Sequence, residues 1–157
     1  PEKVAVHVSK YADIAFDLCD NTLDFIAKDA NEILTLIASK IPRSLILRDI
    51  ATRSQDENPT VRANAARCFS IMADSIDKDP IPFHMGEKEL EVGGPLTDHE
   101  LGIFIKCMSD LIRDKEELAR TESRKVMKIL IKDQRFPQES HRVIPSAEDY
   151  DMIMSDL

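Results

Sequence analysis

Apolar residues recur every three to four positions along most of the chain, and this spacing is interrupted where Pro, Gly, Asn and Asp cluster. Such spacing places the apolar side chains on one face of a helix. The pattern predicts helices at about residues 4–19, 24–41, 43–53, 59–76, 97–112 and 118–132, with a terminal helix at about 146–156. The predicted fold class is therefore all-α.

The first two helices carry the clearest apolar stripes. Only residues 20–24 separate them, so we expect them to pack as antiparallel neighbours. The residues expected to face the core are Val4, Val8, Tyr11, Ala15 and Leu18 on the first helix, and Ile26, Ala30, Ile33, Leu34, Ile37 and Ile41 on the second.

Three helix starts have recognisable caps. Asn58 is a favourable N-cap, and Pro59 suits the first helical position, where a missing N–H costs no hydrogen bond. Thr97 followed by Glu100 matches a capping box. Ser146, three residues before Asp149, predicts the start of the terminal helix.

Two segments lack helical spacing. Residues 77–96 contain too many Pro and Gly residues for a helix of any length, so we expect a long loop with a short ordered piece at about 88–92. Pro137 and Pro145 bracket a second segment, which we expect to be irregular.

The helices form an internal repeat. If Asp20, Asp56 and Asp114 are equivalent, the copies are 36 and 58 residues apart, and the excess in the second interval matches the 77–96 loop. The repeats are helical hairpins at about 4–41, 43–76 and 97–132. A hairpin cannot cover both of its faces alone, so we expect a single stacked domain, an α-solenoid, over residues 1–157.

Composition narrows the class of protein. A chain of 157 residues with 43% hydrophobic residues can bury a core of its own. The formal net charge of −8 disfavours nucleic acid and anionic membrane surfaces as partners. No apolar run approaches the roughly 20 residues that a bilayer span needs. The chain begins at Pro1 rather than Met, so we expect an excerpt of a longer protein.

Chemical motifs are scarce. Cys19, Cys68 and Cys107 lie within apolar helical patterns and form no C-x-x-C pair, so we expect reduced core residues in a cytosolic setting. The four His residues have no Cys or His at ligand spacing. We therefore expect no metal, no cofactor and no catalysis, while an enzyme with its active site in the 77–96 loop remains a minor alternative.

The stretch from Asn58 to Arg62, followed by Ala65 and Ala66 and preceded by Asp56, resembles the inner turn and second helix of a HEAT repeat. Residues 16–76 and 101–130 are similar to the HEAT-repeat TOG domains of CLASP and crescerin-type microtubule regulators. The resemblance implies a noncatalytic module that binds tubulin or microtubules. It also implies a cytoplasmic, cytoskeleton-associated location such as the cilium or the centrosome.

In TOG domains the turns inside the hairpins form the tubulin-binding edge, and basic residues there suit the acidic surface of tubulin. The resemblance gives eight candidates: Asn21, Thr22, Arg53, Asn58, Arg62, Arg113, Lys115 and Arg120. Arg62 and Arg120 have a second interpretation, a structural ladder with Asp56 and Asp114 between successive turns. The alternative function is a HEAT-repeat scaffold with no affinity for tubulin, which the acidic balance of the turns favours.

Overall fold

A computed structural model describes residues 2–157, with side chains from His7 onward. The chain is mostly helical, as the sequence predicts, and its described residues also include one β-hairpin. The elements in order are α1 (Glu2–Leu18), α2 (Asp24–Lys40), α3 (Arg43–Arg53), α4 (Pro59–Ala73), β1 (Ile81–Met85), β2 (Lys88–Val92), α5 (Asp98–Leu111), α6 (Glu117–Leu130), α7 (Phe136–Val143) and α8 (Ala147–Ser155).

The first six helices form three hairpins, α1–α2, α3–α4 and α5–α6, whose helices pack in two layers. Helix α3 contacts both α1 and α5, and α4 contacts both α2 and α6. Helix α7 packs on α5, and α8 packs on α7. The core lies between the layers and includes the fully buried rings of Phe16, Phe69 and Phe104. The rings of Phe69 and Phe104 meet edge to face, with their centroids 4.8 Å apart.

The three intra-hairpin turns share one hydrogen-bonding pattern. In each, a side-chain oxygen accepts the backbone N–H two residues further on: Asn21 Oδ1 from Leu23 at 2.9 Å, Asp56 Oδ1 from Asn58 at 2.8 Å and Asp114 Oδ1 from Glu116 at 2.8 Å. This is the Asx turn that Asn and Asp favour. The equivalence predicted for Asp20 is therefore wrong by one residue, because Asn21 makes the defining hydrogen bond.

The predicted core faces of α1 and α2 need two corrections. Tyr11 and Ile33 are exposed, and Phe16, which the prediction omitted, is fully buried; Leu34 is fully buried as predicted. Helix α1 carries two apolar stripes, and the one with Ala12, Ala15, Phe16 and Cys19 faces the core. The small alanines made this stripe harder to recognise. The side chain of Val4 lies outside the residues whose side chains are described.

Residues 77–96 contain a β-hairpin that the sequence analysis missed. Strand β2 coincides with the expected ordered piece, and it pairs antiparallel with β1 from Ile81 opposite Val92 to Met85 opposite Lys88. Gly86, at φ 63°, opens the two-residue connection, where hairpins favour glycine. The prolines in the segment obscured this signal because they usually indicate a loop.

The segment expected to be irregular contains helix α7. Pro137 lies in the first turn of this helix, so its missing N–H breaks no hydrogen bond. The predicted caps are confirmed. Asn58 accepts the N–H of Thr60, Thr97 and Glu100 form the capping box, and Ser146 Oγ accepts the N–H of Asp149.

Candidate binding edge at the three turns

The turn edge, which we define as residues 19–23, 54–58 and 112–116, contains or borders all eight candidates. Side-chain hydrogen bonds place its turns side by side. Asn58 Nδ2 donates to Asp20 Oδ2 at 3.0 Å and so joins the second turn to the first. Arg62 joins the second turn to the third through Asp114. The candidate residues therefore lie on neighbouring parts of one surface.

Arg62 makes the strongest of these links. Its Nε donates to Asp114 Oδ2 at 2.7 Å and its Nη2 to Asp114 Oδ1 at 3.1 Å, a bidentate pair. Its Nη1 donates to the carbonyl oxygens of Asp56 at 2.9 Å and Glu57 at 3.0 Å. Arg62 thus holds its own turn and fastens the next one. The sequence analysis expected a ladder here but named Asp56 as the partner of Arg62, whereas the carboxylate that Arg62 binds is that of Asp114.

Asp114 is fixed in its charged form by this arrangement. Burial by itself would raise the pKa of the carboxyl. The hydrogen bonds from Arg62 and from the N–H of Glu116, together with the charges of Arg62 and Arg120, outweigh burial and hold the pKa below its usual value. The ladder contact is therefore an ion pair at neutral pH.

Arg120 repeats only part of this pattern. Its Nη1 donates to the carbonyl oxygens of Asp114 at 2.7 Å and Lys115 at 2.8 Å, as Arg62 does in its own turn. Ala27 occupies the corresponding place on α2. The first turn therefore lacks the arginine that braces the other two.

Arg53 is surrounded by carboxylates. Its guanidinium donates to Asp17 at 2.9 Å, Asp13 at 3.3 Å and Asp56 at 3.4 Å, and it lies 5.6 Å from the ring centroid of Phe16. Asp13 and Asp17 were not predicted as partners of Arg53, although their spacing puts both on one face of α1. The charge of Arg53 is thus compensated within the chain.

The other candidates differ in what remains available to a partner. Asn21 and Asn58 use their side-chain oxygens to build a turn and cap a helix. Arg113 donates to Asp156 Oδ2 at 2.9 Å and to the sulfur of Met152 at 3.0 Å, which ties the third turn to α8. Thr22 and Lys115 are exposed, and Lys115 belongs to none of the ion pairs found among the described residues.

Exposed charge at the turn edge is mostly acidic, because Arg53, Arg62 and Arg120 are partly buried and bind carboxylate or carbonyl oxygens of the chain. The exposed carboxylates at or beside the turns are Asp13, Asp17, Asp20, Asp24, Glu57 and Glu117. Lys115 and Arg113 are the exposed cations of the third turn. The edge therefore combines a small basic tip with an acidic surround.

The described residues offer little other chemistry. No group of three or more His, Cys, Asp or Glu side chains among them is arranged to hold a metal ion. All three cysteines are buried, and burial raises the pKa of Cys68 to about 12, so its thiol is protonated at neutral pH. Among the described residues, none of the helices has the length and apolar composition required to span a bilayer.

Comparison with known proteins gives no further identification. No protein-family model matches the chain, and no curated protein matches it.

Proposed function

We propose that this chain is a noncatalytic protein-binding module, an α-solenoid of HEAT-type hairpins that presents its turn edge to a partner. The observation that carries the proposal is the set of three turns with the same hydrogen bonds, fastened to one another by Asn58–Asp20 and Arg62–Asp114. A row of turns held in this way is preorganised, so little conformational entropy is lost when a partner binds.

Tubulin is the partner that we propose first, in a cytoplasmic and cytoskeleton-associated setting. The resemblance to TOG domains supports this choice, since those domains bind tubulin through the same turns. Within the edge, Lys115 and Thr22 have exposed side chains and are the residues we expect to contact the partner. Arg53, Arg62 and Arg120 shape the edge instead, because each is engaged by carboxylates or carbonyl oxygens of the chain.

Cosedimentation with microtubules and size-exclusion chromatography with free tubulin, each at low and moderate salt, test this proposal. We expect binding that weakens with salt and that Lys115→Glu weakens further, because a like charge then faces an acidic surface. Lys40→Glu is the matched control, since Lys40 is exposed at the end of α2 that lies away from the turns. Absence of binding in both assays would refute tubulin as the partner.

A second candidate is a HEAT-repeat scaffold with no affinity for tubulin, whose partner is basic. The exposed carboxylates around the edge, including Asp20 and Glu57, favour it. This candidate predicts no cosedimentation at either salt concentration. It also predicts that a lysine-rich peptide binds and that Glu57→Lys weakens this binding. A peptide affinity that Glu57→Lys leaves unchanged would exclude the edge as the basic partner's site.

A further inference from the structure

Helix α1 exposes an apolar residue where the other hairpins bury one. Counted back from the turn residues Asn21, Asp56 and Asp114, the equivalent positions are Tyr11, Ile46 and Phe104. Tyr11 is 62% exposed, while Ile46 and Phe104 are 0% exposed. This difference is expected if that position is covered by a preceding hairpin, since no hairpin precedes the first one among the described residues.

Helix α2 shows the same difference. Ile33 is 43% exposed, whereas its equivalents Cys68 on α4 and Val126 on α6 are fully buried. Leu36 is 58% exposed, while its equivalents, Ile71 and Ile129, pack against the core. The outer face of α2 therefore has the apolar residues of a helix-packing surface but no helix packed on it among the described residues.

In the second and third hairpins, a basic residue at one equivalent position of the second helix contacts the second helix of the hairpin before. Arg67 on α4 donates to Thr35 Oγ1 at 2.6 Å and to the carbonyl oxygen of Asn31 at 3.0 Å, both on α2. Lys125 Nζ on α6 lies 3.8 Å from Asp74 Oδ2, directly after the end of α4. Both junctions thus place a cation against neutral or acidic groups.

At the two ends of the stack, the residues at these equivalent positions carry the opposite charges. The residue of α2 equivalent to Arg67 and Lys125 is Glu32, which is exposed. Arg67 contacts Asn31 and Thr35, and Lys125 contacts Asp74. The equivalent positions on α6 and directly after it are Arg124, Lys128 and Lys132, which we call the α6 ridge. Helix α7 packs on α5 rather than over this ridge, and Lys128 and Lys132 are exposed. An acidic position at one end therefore matches a basic ridge at the other.

We propose that copies of this chain associate head to tail, with the outer face of α2 of one copy packed on the α6 ridge of the next. Glu32 then faces Arg124 and Lys128 of the second copy, and Ile33 and Leu36 are covered as Cys68 and Ile71 are within one chain. Such a contact joins two different surfaces and leaves one of each free, so it extends into open chains instead of closing as a dimer. The association does not depend on tubulin binding.

Sedimentation velocity over a wide concentration range, at low and high salt, tests the proposal. We expect species larger than a dimer to appear with concentration and to decrease at high salt. Glu32→Lys and Lys128→Glu should each raise the dissociation constant roughly tenfold, because each places like charges together. Glu148→Lys is the control, since it makes the same charge change at an exposed position on α8, which packs on α7, and should have no effect.

Mixing the two variants distinguishes this contact from others. The unchanged α6 ridge of Glu32→Lys fits the unchanged α2 face of Lys128→Glu, so the mixture should associate although each variant alone does so weakly. A symmetric contact between two α2 faces predicts no such rescue. The proposal is overturned if the wild-type chain is monomeric at all concentrations, if Lys128→Glu behaves as wild type, or if mixing fails to restore association.

Discussion

The junction between the second and third hairpins differs from the junction between the first and second, although the turns on both sides are alike. The former is fastened by the bidentate, largely buried pair of Arg62 and Asp114. In the latter, the two turns are joined by an exposed hydrogen bond from Asn58 to Asp20, and the remaining polar links run between helices, from Arg53 to the exposed carboxylates of Asp13 and Asp17 and from Arg67 to α2. The difference originates on α2, where Ala27 occupies the position of an arginine.

Within the repeat, different residues form the turn and attach one hairpin to the next. The Asx hydrogen bonds of Asn21, Asp56 and Asp114 build each turn locally, so the turn keeps its shape whether or not a ladder arginine is present. The arginine acts between hairpins and also braces the carbonyl oxygens of its own turn. Stability should therefore depend more on the second junction than on the first.

The largest expected effect comes from removing a ring at the core of the second junction. Phe69→Ala takes away a fully buried side chain packed edge to face on Phe104 and should lower the free energy of unfolding by about 3–5 kcal/mol. Denaturant unfolding followed by circular dichroism measures the change. The matched control is Phe25→Ala in the first hairpin, where the ring is 65% exposed and the loss should be within about 0.5 kcal/mol. Equal losses would mean that Phe25 is covered in solution.

The sequence predicted the helix starts better than it predicted the side-chain contacts at the turn edge. Helix starts followed from local groups, namely Asn58, Thr97 with Glu100, and Ser146, because a cap forms with neighbouring residues. The partners of Arg53 and Arg113 did not follow, since Asp13, Asp17 and Asp156 are brought near only when helices distant in sequence pack. Tyr11 was misassigned for a related reason: periodicity identifies an apolar face but does not show whether a neighbour covers it.

The next largest effect is expected from breaking the ion pair between Arg62 and Asp114. Arg62→Ala leaves Asp114 largely buried without its guanidinium partner, so we expect a loss of about 1–3 kcal/mol in the free energy of unfolding. A double-mutant cycle with Asp114→Ala should give a coupling energy above about 1 kcal/mol. The same cycle on Asn58 and Asp20 should give less than about 0.5 kcal/mol, as exposed pairs do. Similar couplings at both junctions would contradict the comparison.

Acid should weaken the second junction selectively. Because the folded pKa of Asp114 is lowered, its stabilising contribution is fully present above the unfolded value of about 3.9 and is lost as the pH falls through the folded pKa. Asp114→Asn removes this group's titration, so the stability difference from wild type should shrink as the pH falls below about 4. Denaturant unfolding at a series of pH values measures it, with Glu57→Gln as the control. A difference that stays constant with pH would show that Asp114 contributes nothing through its charge.

The smallest expected effect comes from adding the missing brace to the first hairpin. By analogy with Arg62, an arginine in Ala27→Arg should donate to the carbonyl oxygens of Asn21 and Thr22 and reach Asp56 of the next turn. We expect a gain of about 0.5 kcal/mol, small because Arg53 already engages Asp56. Ala27→Lys is the control, since an ammonium lacks the planar fork that serves two acceptors at once. The unfolding midpoints of both variants measure the effect. If Ala27→Lys gains as much as Ala27→Arg, the benefit is general electrostatic attraction to an acidic edge. If neither gains, Ala27 is an alanine because the first junction packs differently, and the two junctions differ by more than one arginine.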